Sequence, residues 1–174
     1  PEVTILYGVQ APLEERFMTE FCKLPCVYCG SVDPSQVSCD RIDSDKDYTF
    51  DNIQPVCFMD NIMKSTSSTE EFFDWVLRVG LYTHVPEWDD IVCCLCSSSA
   101  ASSPDRIFCG DEYDDSNVRM TCKECNFRRL NQFSHSAVQG QAQRIIEYQR
   151  DHLYNLAKIN AQVSKLKKRA ELEC

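Results

Sequence analysis

The stretch CDRIDSDKDYTFDNIQPVCFMDNIMKS, residues 39–65, decides how the chain is read, because its order of residue types returns once further along. In the first occurrence Cys26-x-x-Cys29 precedes Asp40-Arg41-Ile42, Asn52-Ile53, Cys57-x-x-Asp60-Asn61 and Lys64. In the second, Cys93-x-x-Cys96 precedes Asp105-Arg106-Ile107, Asn117-Val118, Cys122-x-x-Cys125-Asn126 and Arg129. From Asp40 to Lys64 every match lies at one constant offset, and the only change of length falls in the loop after the first cysteine pair. So many agreements in one order read as a duplication.

The cysteines carry the chemistry. The chain has 12 of them, six of which form three C-x-x-C pairs. No basic segment followed by an apolar core opens the sequence, so secretion and a disulfide framework are the weaker reading and metal ligation the stronger. Structural zinc takes four soft or borderline ligands in a tetrahedron, which two C-x-x-C pairs supply when a knuckle and a helix start come together. Cys93, Cys96, Cys122 and Cys125 form one complete set, although Cys94 leaves the register of its first pair open. In the first copy Cys26, Cys29 and Cys57 are present and Asp60 stands where a fourth cysteine is expected. A carboxylate can ligate zinc; Cys39, Cys22 or an empty site are the alternatives. Cys109 and Cys174 read as ordinary thiols.

Around these modules the patterning is helical. STEEFFDWVLRVGLYTHV opens with Ser68 or Thr69 as N-cap and acidic residues in the first turn, and Phe72, Trp75, Val76 and Val79 share one face. That face is expected to pack on the first module. Upstream, Leu13, Phe17 and Phe21 mark a short helix closing the domain. Residues 97–105, SSSAASSPD, read as a flexible loop inside the second module. From about Ser136 onward no proline occurs, so a long helix is expected, on the order of 50 Å at about 1.5 Å per residue. Ala142, Ile145, Gln149, His152, Leu156, Ile159, Val163, Leu166 and Ala170 follow the a/d spacing of a coiled coil. Packing on its own domain and service as an interaction arm are both open for this helix. The basic run 165–169 reads as a solvated face.

Charge argues about partners. The formal net charge is −9, and from Gln143 onward there are seven Lys or Arg against four Asp or Glu, leaving eleven against twenty-three in residues 1–142. Nucleic-acid binders draw most non-specific affinity from basic side chains that neutralise phosphates. The acidic modules therefore disfavour DNA, unless Arg41, Lys64, Arg128 and Arg129 form a local basic groove. No apolar run approaches the roughly 20 residues of a membrane span.

CVYCG, CDRIDSDKDYTFDNIQPVC and NIMKSTSSTEEFFDWV, over about residues 26–79, together resemble the HNH endonuclease superfamily, and most closely its zinc-bound, phage-type branch; the second copy is similar but looser. The resemblance implies an α+β architecture of two tandem treble-clef, ββα-type zinc modules with flanking helices. The implied parts are an N-terminal helical segment (1–22), a first module with its following helix (23–85), a second, diverged module (86–134) and the long C-terminal helix (135–174). It also implies that Asp40 and Asn61 sit on the metal side of a nuclease site, that Lys64 faces phosphate, and that Mg²⁺ joins the site if the protein cleaves DNA.

The departure from that family concerns the base. Many HNH enzymes place histidine directly after the aspartate, where Arg41 and Arg106 stand here. Arginine holds its proton with a pKa above about 12 and cannot act as a general base near neutrality. Tyr48 and Tyr28 read as packing residues, and His84, His135 and His152 as structural or exposed. Two accounts follow. In one, Asp40, Arg41, Asn61 and Lys64 form a Mg²⁺-dependent endonuclease site. In the other, which the charge favours, up to two zinc ions hold a non-catalytic assembly protein that meets protein partners through its C-terminal helix. That protein would work in a reducing intracellular compartment, cytoplasm or nucleus. By the resemblance alone, its source would be a phage or large DNA virus and its place the virion.

Overall fold

In the computed structural model, residues 15–33, 35–81, 92–97 and 100–151 are described. The expectations for Leu13, His84, His152, Cys174 and the seam beyond Asp151 lie outside them. The described elements are α1 (Glu15–Phe21), β1 (Val37–Arg41), β2 (Ile53–Cys57), α2 (Phe58–Lys64), α3 (Thr69–Gly80), β3 (Ser103–Arg106), β4 (Val118–Thr121), α4 (Lys123–Arg129) and α5 (His135–Arg150). The class is mixed α+β, with two small antiparallel sheets. The described residues divide into two compact units, one running to Asn61 and joined by Asp151, the other Ile62–Arg150.

In the first unit, β1 and β2 pair antiparallel with Cys39 opposite Pro55 and Asp40 opposite Gln54. Pro55 donates no hydrogen bond, and its carbonyl instead accepts Val27 N–H at 3.0 Å, which stitches the cysteine loop to the hairpin. Phe21 of α1 and Ile53 and Val56 of β2 are buried. Asn52 fixes the long hairpin loop. Its side chain accepts from Asp43 N–H at 2.9 Å and donates to the carbonyls of Asp43 and Asp47, both at 2.9 Å. A buried amide needs such partners, and each bond contributes on the order of 0.5–1.5 kcal/mol.

The second unit repeats this wiring. Asn117 accepts from Phe108 N–H at 2.9 Å and donates to the carbonyls of Phe108 at 3.1 Å and Glu112 at 2.9 Å. Arg41 Nη1 donates to Lys46 O and Arg106 Nη1 to Asp111 O, each at 3.0 Å. Their guanidinium groups lie 5.0 Å and 4.8 Å from the ring centres of Tyr48 and Tyr113. Even the backbone strain recurs, with Ser65 after α2 at φ 55° and Leu130 after α4 at φ 50°. The duplication read from residue types thus extends to individual hydrogen bonds. The loop expected over 97–105 ends sooner than its composition suggests. Ser103, Pro104 and Asp105 belong to β3 because the pairing of that strand with β4 outweighs the turn propensity of Ser and Pro.

Helix α3 begins at a capping box, Ser68 Oγ accepting Glu71 N–H while the Glu71 carboxylate accepts Ser68 N–H. Phe72, Trp75, Val76 and Val79 are all fully buried. Burial of one such side chain stabilises by roughly 1.5–3 kcal/mol, so this face anchors the helix. Rather than meeting the first module, this helix packs against α5 within the unit 62–150, and Trp75 Nε1 reaches Cys125 Sγ. Gly80 permits the close approach of the two helices, since a β-carbon there would meet Ile146 Cδ1 at 2.6 Å and the Ala142 carbonyl carbon at 3.0 Å. Ala142 and Ile145, the first members of the coiled-coil seam, are buried within this unit.

Candidate metal centres

Two clusters gather the residues that spacing singled out. Cys26, Cys29, Cys57 and Asp60 form one and Cys93, Cys96, Cys122 and Cys125 the other; all eight are buried, and within each the ligand atoms lie within 4.8 Å of one another. Asp60, not Cys39 or Cys22, completes the first set. Local geometry builds each site twice over. Cys26 O accepts Gly30 N–H and Cys93 O accepts Ser97 N–H, both at 2.9 Å, closing knuckle turns in which Gly30 has φ 72° and Ser97 φ 47°. The other two ligands come from a helix start: Cys122 is the N-cap of α4 and its Sγ accepts Cys125 N–H at 3.4 Å. The partial positive charge of that terminus favours anionic ligands.

The spacing of the donors suits a tetrahedral ion. Zinc–sulfur bonds of about 2.3 Å place tetrahedral sulfurs about 3.8 Å apart. Cys29 and Cys57 sulfurs are separated by 3.7 Å, Cys96 and Cys122 by 3.9 Å, and Cys26 Sγ lies 3.2 Å from Asp60 Oδ2. The crowding also pulls the thiols apart in acidity. Hydrogen bonds from Cys122 and then Cys125 draw Cys93 down to about 6, while those within the cluster push Cys125 up. Hydrogen bonds from Cys26 and Cys57 draw Cys29 down, and burial above all pushes Cys26 up. A dication relieves such a cluster by letting every donor ionise.

The second cluster has neighbours that spacing could not reveal. Trp75 Nε1 donates to Cys125 Sγ at 3.3 Å. Arg78, ion-paired with Glu124 at 2.9 Å, keeps its proton more tightly than usual: burial opposes this, but Glu124 and then Cys96 and Cys125 more than offset it.

Of the residues expected at a nuclease centre, Asp40 and Lys64 are buried while Arg41 and Asn61 are half-buried. Asp40 is 4% exposed and accepts from Gln54 Nε2 at 2.8 Å, an amide that also donates to Tyr28 Oη at 2.8 Å. Asn61 Nδ2 donates to Ser38 Oγ at 3.0 Å, as Asn126 Nδ2 does to Ser103 Oγ at 2.8 Å. Lys64 and Arg129 are both 0% exposed and Arg128 is 5% exposed, so three of the four cations of the conjectured basic groove are withdrawn from solvent. Arg128 donates to the carbonyls of Met63 at 2.8 Å and Lys64 at 3.2 Å and to Ser67 Oγ at 2.8 Å, and lies 5.3 Å from the Trp75 ring centre.

In the second copy the carboxylate is fully engaged. Arg129 grips Asp105 with both Nε, at 2.8 Å, and Nη2, while His135 Nε2 lies 3.1 Å from the same Oδ2. Burial raises the Asp105 carboxyl, but hydrogen bonds from His135 and Arg129 and their charges hold it below its ordinary 3.8. His135, the first residue of α5, also brings its Nδ1 to 3.7 Å from Cys94 Sγ, so both ring nitrogens have partners. Cys94, left open as a ligand, stands outside the cluster as a thiol that burial pushes up to about 12.

No known protein family, curated protein or solved structure matches this chain. Among the described residues no helix is long and apolar enough to cross a membrane.

Proposed function

We propose that this chain is a zinc-held, non-catalytic scaffold of two HNH-like treble-clef modules, whose C-terminal helix serves contacts with protein partners. The observation that carries the reading is the buried Arg129–Asp105 pair. The residue types that serve phosphate and metal in the resembling enzymes here face each other, with side chains 0% and 1% exposed. A carboxylate that already holds two Arg donors and His135 has little capacity left for Mg²⁺, which needs several oxygen ligands and retained waters. The full burial of Lys64 supports the same view of the first copy, because a phosphate cannot approach an ammonium without solvent access.

Within this reading Cys26, Cys29, Cys57 and Asp60 hold one ion, and Cys93, Cys96, Cys122 and Cys125 the other. Zinc, when bound, supplies a four-way cross-link between knuckle and helix start, worth about 10–16 kcal/mol in isolated zinc-finger peptides near neutrality. The protein's own contribution is to hold the donors together and to spend its former polar centres on internal bonds. Asp40 and Asn61 are then framework groups. Replacing either with alanine should lower the stability of the zinc-loaded chain in urea by about 1–2 kcal/mol, since each loses a partly buried hydrogen bond. Variants as stable as the parent would contradict the framework role.

A further inference from the structure

The two metal centres differ in donor set and in what surrounds them. This difference, which rests on the reading that both clusters hold zinc, assigns them different tasks. The second offers four sulfurs, with the Trp75 indole N–H on Cys125 at 3.3 Å and the Cys125 N–H on Cys122 at 3.4 Å. Those N–H donors orient the two thiolates they reach, and supports of this kind typically change metal affinity 10–100-fold. The first offers three sulfurs and the harder oxygen of Asp60, the third residue of α2, in the place of Cys125. Carboxylate is a weaker partner than thiolate for a borderline-soft ion, so the Asp60 bond is the one that opens first.

We propose that the Cys26–Cys29–Cys57–Asp60 centre is an exchangeable zinc site and the four-cysteine centre a permanent one. With zinc bound, Asp60 would be the ligand that an incoming chelator displaces first, the ion leaving on the chelator as Zn²⁺ with its oxidation state unchanged while the freed carboxylate and thiols stay on the chain. The first unit, whose cysteine loop and hairpin meet at this centre, is thereby made responsive to free zinc, while the unit 62–150 keeps its ion. Aspartate at position 60 is the residue that sets the difference.

The test uses the full chain loaded with zinc, its content measured by elemental analysis, and challenged with excess 4-(2-pyridylazo)resorcinol. One equivalent should leave at least about tenfold faster than the other. Asp60→Cys should slow the fast phase towards the slow one, and Asp60→Asn, which keeps shape but loses charge, should speed it further; the second variant keeps the test valid if the first folds poorly. Release of both equivalents in a single phase would overturn the proposal, as would a fast phase indifferent to both substitutions. A folded chain that binds no zinc at all would instead refute the underlying zinc reading, a result distinct from equal release.

Discussion

Replacing Arg129 with methionine probes the centre of the second module. The side chain is 0% exposed and its partner Asp105 1% exposed, so the substitution strands a carboxylate in the interior with His135 Nε2, at 3.1 Å, as its remaining partner among the bonds described above. Removing one member of a buried pair costs about 3–5 kcal/mol, and the histidine that stays behind places the loss near the lower end, about 3 kcal/mol. Asp105 is held below its ordinary 3.8 in the folded chain, so the pair's contribution is complete above that value and is lost as pH falls through the lower folded value. The penalty should therefore appear in full at pH 7. Urea unfolding of the zinc-loaded chain, followed by fluorescence of buried Trp75, measures it. The double variant Arg129→Met with Asp105→Asn should recover about half the loss, because it removes the stranded charge. A single variant within about 1 kcal/mol of the parent, or a double variant no better than the single, would refute the reasoning.

Further substitutions test other parts of the framework. Ser68→Ala removes the acceptor for Glu71 N–H and should cost the unit 62–150 about 1 kcal/mol in urea unfolding. Gly80→Ala should destabilise that unit by about 1–2 kcal/mol despite its better helix propensity, since the new methyl meets the Ala142 backbone as well as the movable tip of Ile146; a gain in melting temperature would contradict the close approach. Asn117→Ala, which deletes three loop-closing hydrogen bonds, should cost about 2–3 kcal/mol and raise amide exchange at Phe108.

Much of the metal centres was legible because their ligands follow local rules. A C-x-x-C knuckle and a ligand at a helix start are set by residues three apart, and Asp60 was found by its register against Cys125. The amphipathic face of α3 was legible for the same reason, as was a cap at Ser68 or Thr69, which the structure places at Ser68. What escaped was long-range. Trp75 and Cys125 are fifty residues apart, and nothing in either neighbourhood announces the N–H to sulfur bond. Lys64 and Arg129 look like surface cations, and only the folded chain shows them fully buried. Ser103, Pro104 and Asp105 read as loop because propensity is local, whereas strand pairing with β4 is not. Asn52 and Asn117 recurred in the repeat, but their task inside the hairpin loops needed coordinates to see.

We propose that Asp40, Asn61, Lys64 and Arg129 hold the structure and do not serve DNA cleavage. Nicking of supercoiled plasmid by folded, zinc-loaded protein with Mg²⁺ or Mn²⁺, beside the Asp40→Ala and Asn61→Ala variants, tests it most directly. The account predicts no nicking above the buffer control from any of the three. Nicking by the parent chain that disappears in both variants would contradict it and establish a nuclease working without the customary histidine.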